Sequence, residues 1–282
     1  MVKIKSSRLV VFSIACFFTS INSFSQSLEK LWTTDSVLKV PESVLFDAKN
    51  ERLFVSNIDG KGVWDKDRKG SISLVTLSGK VLNPQWITGL HAPKGMALFQ
   101  TILLVADVDS LVFIETTRAA VVKKIYIPDA KGLNDVAIDK RGNIYVSDSK
   151  TKRIHMIGST KLDISIYLDG LEEPNGICFV DKTLYFVDGD GFYKLGKNNE
   201  KALIANGLDG TPDGIEAIDE ETFLVSCWSG EVWLIKVNGE KKLLLDTKKE
   251  MINAADIGFN KKAGILYVPT FWKNQVVAYQ IK

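Results

Sequence analysis

Short apolar runs with strong strand character recur along the whole chain, separated by polar turns. They read Leu53-Phe54-Val55-Ser56, Leu103-Leu104-Val105-Ala106, Ile144-Tyr145-Val146-Ser147, Leu184-Tyr185-Phe186-Val187, Phe223-Leu224-Val225-Ser226 and Leu266-Tyr267-Val268-Pro269. Their aromatic and β-branched content, and the turn residues beside them, favour strands. Further runs such as Ser71 to Leu77, Arg153 to Ile157, Gly230 to Val237 and Gln275 to Ile281 supply third strands. No helical apolar period of any length appears, so the chain reads as all-β.

A short motif precedes each of the six runs. The motifs are Pro41-Glu42-Ser43-Val44, Pro93-Lys94-Gly95-Met96, Leu133-Asn134-Asp135-Val136, Pro174-Asn175-Gly176-Ile177, Pro212-Asp213-Gly214-Ile215 and Ala255-Asp256-Ile257-Gly258. Counted at their second residues, the steps are 52, 40, 41, 38 and 43 residues. A strand-built repeat of about 40–50 residues predicts a six-bladed β-propeller. Blades stack on one another and none folds alone, so one domain is expected over residues 26–282. Too few residues follow the sixth motif for four strands. The apolar pattern from Leu28 to Val40 is therefore predicted to return as the outer strand of the last blade, an N-terminal closing strand that removes a free edge.

In a blade, the start of the first strand and the end of the second meet at one edge, and the first strands face the central channel. The six second-position residues, Glu42, Lys94, Asn134, Asn175, Asp213 and Asp256, are thus expected to ring one mouth of the channel. Asn57, Asp107, Asp148, Asp188, Trp228 and Trp272, at the ends of the second strands, are expected on the same face. The loop from Asn57 to Gly70, which carries Trp64, is the longest there and a candidate lid. Asn134, Lys94, Trp64, Trp228 and Trp272 are candidate substrate-binding residues; packing between neighbouring loops is the other role open to the tryptophans.

Glu42, Asn134, Asn175 and Asp213 bring two carboxylates and two amide oxygens to one ring. Hard oxygen donors favour Ca²⁺ or Mg²⁺, with Mn²⁺ as a further choice, and Ca²⁺ is the ion expected. Asn-Gly and Asp-Gly also form turns, and a propeller needs a turn before each inner strand. Glu42, Lys94 and Asn134 do not fit that alternative, and the set is read as a candidate metal site. Lys94 on the same ring serves either charge balance, for example with Asp256 across the channel, or recognition of a substrate and its developing negative charge. His91 reads as a loop histidine or a proton shuttle, and His155 as a third-strand residue.

These motifs give the chain a resemblance to the SMP-30/gluconolactonase/LRE-like propellers, relatives of the calcium-dependent paraoxonases, over roughly residues 28–282. The resemblance implies a divalent metal at the channel mouth held by Glu42 in Pro-Glu-Ser, Asn134 in Asn-Asp, Asn175 in Pro-Asn-Gly and Asp213 in Pro-Asp-Gly. It further implies that Asp213 acts as ligand and as general base or nucleophile in lactone or ester hydrolysis. Lys94 stands where paraoxonases carry a histidine in a Pro-His-Gly context, and no counterpart of the gluconolactonase substrate arginine is evident.

The chain start adds a location. Lys3, Lys5 and Arg8 precede an apolar run from Leu9 to Ile21, and Ser23-Phe24-Ser25 offers small residues before Gln26. Residues 1–25 are expected to be a secretory signal peptide, which makes the protein secreted or periplasmic. Anchoring as a lipoprotein through Cys16 is the lesser alternative, because Ser13 is a poor residue for it. Removing the segment takes the formal charge from +2 to about −1, which gives no reason to expect a nucleic-acid partner. No other run is long enough for an integral membrane span. Cys178 and Cys227 remain, as a disulfide or as two buried thiols. The function expected is a metal-dependent hydrolase of sugar lactones or other small esters, acting as a monomer on a small-molecule substrate. A non-catalytic binding propeller of NHL type with a structural metal is the alternative, and isomerase or lyase chemistry at the same metal is a third.

Overall fold

A computed structural model describes residues 26–282 except 61, 197, 198 and 209. The expected signal segment, and with it Cys16, lies outside the described residues. Six four-stranded antiparallel sheets follow one another along the chain, as the repeat predicts. The first strands are Pro41–Asp47, Pro93–Phe99, Leu133–Ile138, Ile177–Val180, Pro212–Ala217 and Gly258–Asn260. The second strands are Arg52–Asn57, Ile102–Asp107, Ile144–Asp148, Thr183–Asp188, Thr222–Cys227 and Ile265–Pro269. In each sheet the first strand is bonded to the second on one side only, which leaves it at the sheet edge. No helix among the described residues is long and apolar enough to cross a membrane.

Closure occurs where the pattern places it. Leu28–Thr33 pairs antiparallel with Val276–Ile281, from Leu28 opposite Ile281 to Thr33 opposite Val277, and completes the sixth sheet. Trp32 fixes the clasp: its ring centroid lies 5.8 Å from that of Tyr267, and its indole N–H donates to the Leu77 carbonyl at 2.9 Å in the next blade.

The core lies between adjacent blades. Phe54 and Met96 join blades 1 and 2, while Tyr185 and Phe223 meet at 4.4 Å between blades 4 and 5. Burying a side chain of this size contributes ~2 kcal/mol, and repeating it at every blade boundary fixes the ring. Both remaining cysteines are free thiols, Cys178 half-buried and Cys227 buried in separate strands. This resolves the choice left open by the sequence.

Candidate functional site

Four of the six motifs enter the ring through an irregularity. Pairing of the first and second strands shifts between Pro41 and Ser43, Pro93 and Met96, Leu133 and Val136, and Pro212 and Ile215. A bulge re-aims the side chain at its centre, here the second motif residue. The N–H freed from the ladder at the third residue is taken up by a serine on the second strand in three blades. Ser43 N donates to Ser56 Oγ at 3.0 Å, Asp135 N to Ser147 Oγ at 2.8 Å and Gly214 N to Ser226 Oγ at 2.9 Å. Two of the entries are strained as well. Val40 and Thr211 are β-branched residues with φ of 54° and 66°, directly before Pro41 and Pro212. Such residues rarely occupy this region, and each costs about 1–3 kcal/mol. Ile58 N to Val40 O at 3.1 Å and Trp228 N to Thr211 O at 2.9 Å pin them. The strained entries lead into the two blades that carry Glu42 and Asp213.

Glu42, Lys94, Asn134, Asn175 and Asp213 line one cavity of about 360 Å³ at the channel mouth. Lys94 Nζ donates to Glu42 Oε1 at 2.9 Å, and both side chains are about 95% buried. Glu42 Oε2 and Asp213 Oδ1 are buried and have no hydrogen-bond partner among the described residues. The Asn175 side chain lies beside the Asp213 carboxyl and favours its charged form. Asn134 Nδ2 donates to Ser149 Oγ at 3.0 Å, which leaves the Asn134 carbonyl oxygen as the atom available to a cation; Ser149 in turn donates to Pro174 O at 2.7 Å. Burial pushes both carboxyls up. At Asp213 the negative charge of Glu42 adds to burial, and Lys94 opposes it at both groups.

The three tryptophans line the same cavity. Trp64 lies on the predicted lid loop with Lys94 Nζ 4.4 Å and Lys150 Nζ 5.6 Å from its ring centroid. The loop is tied down by the ion pair of Lys66 with Asp109 and by Asp59 N to Lys39 O at 3.0 Å. Trp228 and Trp272 form the other wall, each edge-on to Phe271, at 5.5 and 4.8 Å. Trp272 is not at a strand end; it sits in the 3₁₀ turn Phe271–Lys273 beyond Pro269.

Two sequence expectations are corrected. First, Asp256 is not the sixth ring residue. It faces Gly214 as Asp135 faces Gly95, and it bridges Ser43 in parallel. All of these are third positions. Ala255 holds the sixth ring place, and Asp256 lines a separate channel cavity of about 250 Å³ with Ser43, Asp135 and Glu216. Second, Lys94 pairs with Glu42, while Asp256 accepts a hydrogen bond from Ser43 Oγ at 2.5 Å. The strand-end acids lie on the expected face, Asp107 opposite Pro93 and Asp148 opposite Leu133, but they bind backbone there and stay outside the cavity. Asp107 accepts from His91 N and Ala92 N at 2.8 and 3.0 Å, Asp148 from Lys131 N and Gly132 N at 3.0 and 3.1 Å, and Asp188 from Glu172 N and Glu173 N at 2.7 and 2.8 Å. They fasten each crossover to the blade it enters. Asn57 does the same more weakly through Lys39 N at 3.3 Å. His91 lines a different depression, beside Arg68 and Lys124, and His155 is a buried third-strand residue with Nε2 3.7 Å from Asp148.

Sequence reasoning missed Ser149, Lys150 and Glu173 at the mouth. The only signal for Ser149 and Lys150 was their place one and two residues past a second strand. Among the described residues no cluster of three or more His, Cys, Asp and Glu side chains is placed to hold a metal. The ring holds two acids, so a cation there must also use the amides. The donor set fits a hard divalent cation on that basis: two mutually repelling carboxyls, each with an unpartnered buried oxygen, and two amides share one cavity.

No curated protein sequence matches this chain. Among solved structures, a gluconolactonase of Xanthomonas campestris is similar with a TM-score of 0.68 at 15% identity, over 90% of this chain and 89% of that one. A streptogramin B lyase is similar with a TM-score of 0.67 at 13% identity, over 91% of this chain and 98% of that one. At such identities the likeness is one of fold. The SMP-30/gluconolactonase/LRE-like region model matches residues 40–271, a span that takes in all six motifs and the lining of the mouth as far as Phe271. By that match the chain belongs to the SMP-30/gluconolactonase/LRE-like family.

Proposed function

We propose that the mouth is the active site of a metal-dependent hydrolase of lactones or small esters, sugar lactones foremost. The observation that carries this is the pair of unpartnered buried oxygens, Glu42 Oε2 and Asp213 Oδ1, converging with Asn134 and Asn175 on one cavity. A native protein leaves few buried polar atoms unpaired, and each such atom asks for an explanation. Glu42, Asn134, Asn175 and Asp213 would hold a divalent cation, Ca²⁺ before Mg²⁺ or Mn²⁺. When bound, it supplies positive charge that polarises the ester carbonyl.

The chain's own residues supply the rest. Asp213 takes a proton from the attacking water as its oxygen bonds to the carbonyl carbon, and returns it to the ring oxygen as the carbon–oxygen bond breaks. Asn175 orients the Asp213 carboxyl. Lys94 offers an ammonium to the negative charge that develops on the substrate. Trp64, Trp228 and Trp272 exclude water and present flat apolar surface to a ring-shaped substrate. One chain contributes every one of these groups, so a monomer suffices. Residues 1–25 would direct the protein to the periplasm or the exterior.

Hydrolysis of a panel of sugar lactones and small esters, with chelator and after Ca²⁺ readdition, tests the reading. Chelator is expected to abolish turnover reversibly, and Asp213→Ala to lower kcat/KM by about 10²-fold or more. Full activity in Asp213→Ala, or in thoroughly demetallated protein, would overturn it. Silence on every ester together with a Ca²⁺-dependent rise in Tm would favour a binding propeller with a structural ion.

A further inference from the structure

Lys94 is the one long cationic side chain on the ring; the other five positions carry Glu42, Asn134, Asn175, Asp213 and Ala255. Its ammonium is not turned outward. It lies 2.9 Å from Glu42 Oε1, nearly as buried as its partner, with the Trp64 ring closing over it at 4.4 Å. The carboxylate it occupies belongs to the donor set argued above. We propose that Lys94 is a built-in competitor for the metal, standing as the counter-ion of Glu42 whenever no divalent cation is bound.

The charges explain the arrangement. Two carboxylates facing each other in a buried cavity repel, and each pays a desolvation cost. Lys94 offsets one of them, so the mouth keeps its shape without metal. A divalent cation entering the ring must take Glu42 from Lys94 and tolerate an ammonium a few ångströms away, and like charges at that range repel strongly in a buried site. The wild-type site is therefore a weak one, filled when the ion is abundant and intact when it is scarce. This inference rests on the reading of the mouth as a metal site and concerns how tightly that site holds its ion.

The test is calorimetric titration of the demetallated full chain with Ca²⁺, for the wild type, Lys94→Met and Lys94→Arg. Lys94→Met is expected to bind Ca²⁺ about tenfold or more tightly than wild type, while Lys94→Arg, which keeps the charge, stays close to wild type. Melting in chelator gives a second readout. Lys94→Met is expected to melt well below wild type and to recover on adding Ca²⁺, whereas wild type shifts little. Lys94→Gln repeats the comparison if the methionine variant fails to fold. Ca²⁺ affinity in Lys94→Met equal to or weaker than wild type overturns the competition. If wild type meanwhile hydrolyses lactones in a chelator-sensitive way, the metal-site reading stands and only the role of Lys94 falls. If neither protein binds Ca²⁺, both fall.

Discussion

Two sets of polar side chains line the inner strands, and they are built on opposite principles. The second lies one residue past the first at Ser43, Asp135 and Asp256 and three residues past Asp213 at Glu216. The upper ring, Glu42, Lys94, Asn134, Asn175 and Asp213, faces the mouth and leaves Glu42 Oε2 and Asp213 Oδ1 without partners. The lower set, Ser43, Asp135, Glu216 and Asp256, faces the channel beneath. There Asp135 accepts from Val136 N and Ile177 N, both at 2.7 Å, and Asp256 accepts from Ser43. Both sets are acidic and buried. Asp135 and Asp256 spend their oxygens on holding neighbouring blades together, whereas the mouth acids keep theirs for something that arrives from outside. Acidity alone does not mark a site; unspent hydrogen-bonding capacity does.

The strongest way to break this contrast is to remove one acid from each ring. Asp135→Ala strips acceptors from two buried backbone N–H groups, one in the next blade, and is expected to cost about 3 kcal/mol. A denaturant midpoint well below wild type checks it. Asp213→Asn goes the other way. It removes a charge that Glu42 repels and burial penalises, so stability is expected to hold or rise while lactone turnover collapses. Equal destabilisation by the two variants would erase the distinction between the rings.

The repeat, the all-β architecture and the closing strand could be read from the sequence because each rests on periodicity. The motif spacing is set by blade size, and the spare pattern at Leu28 to Val40 had only one edge to fill. The sixth ring position could not be read. Its blade lacks the proline or leucine that opens the other five motifs, so Asp256 was matched by its chemistry and landed one residue out of register. Successive strand residues face opposite ways, so a one-residue slip moves a side chain into a different cavity. The partner of Lys94 was equally hidden, since six ring positions allow several ion pairs and only packing selects Glu42. Ser149, Lys150 and Glu173 occupy loop places that recur from blade to blade, but the side chains there change, with Val40 and Thr211 standing where Glu173 does, so no period announces their chemistry.

A smaller effect sharpens the contrast through pH. Glu216 lies deep in the channel with part of its surface open to the cavity. Burial first, then the charge of Asp135, push its carboxyl from the ordinary 4.5 to about 8. Below pH 4.5 folded and unfolded chains both hold this proton. Between pH 4.5 and 8 the folded chain keeps it while the unfolded chain has lost it, so stability falls as pH rises, and it stays lower above pH 8. Glu216→Gln is expected to flatten that decline by something on the order of 2 kcal/mol, read as the difference in unfolding free energy between pH 5 and pH 9. An unchanged pH profile would mean that Glu216 ionises freely and that the channel is wetter than its burial implies.

The smallest effect belongs to the wall of the mouth that a loop supplies. Trp228 and Trp272 are braced edge-on against Phe271, but Trp64 rides on a loop and meets the ring mainly through Lys94 and Lys150. A cation–π contact of this kind is worth about 0.5–2 kcal/mol, depending on how dry it is. Trp64→Ala is therefore expected to raise KM for a lactone several-fold, with kcat little changed, since the residue touches no reacting atom. The melting temperature should move far less than in Asp135→Ala, because the loop keeps its Lys66 to Asp109 and Asp59 to Lys39 anchors. If Trp64→Ala instead melts as early as Asp135→Ala, the loop braces the fold as the channel acids do, and the mouth is less open to change than its unpartnered oxygens imply.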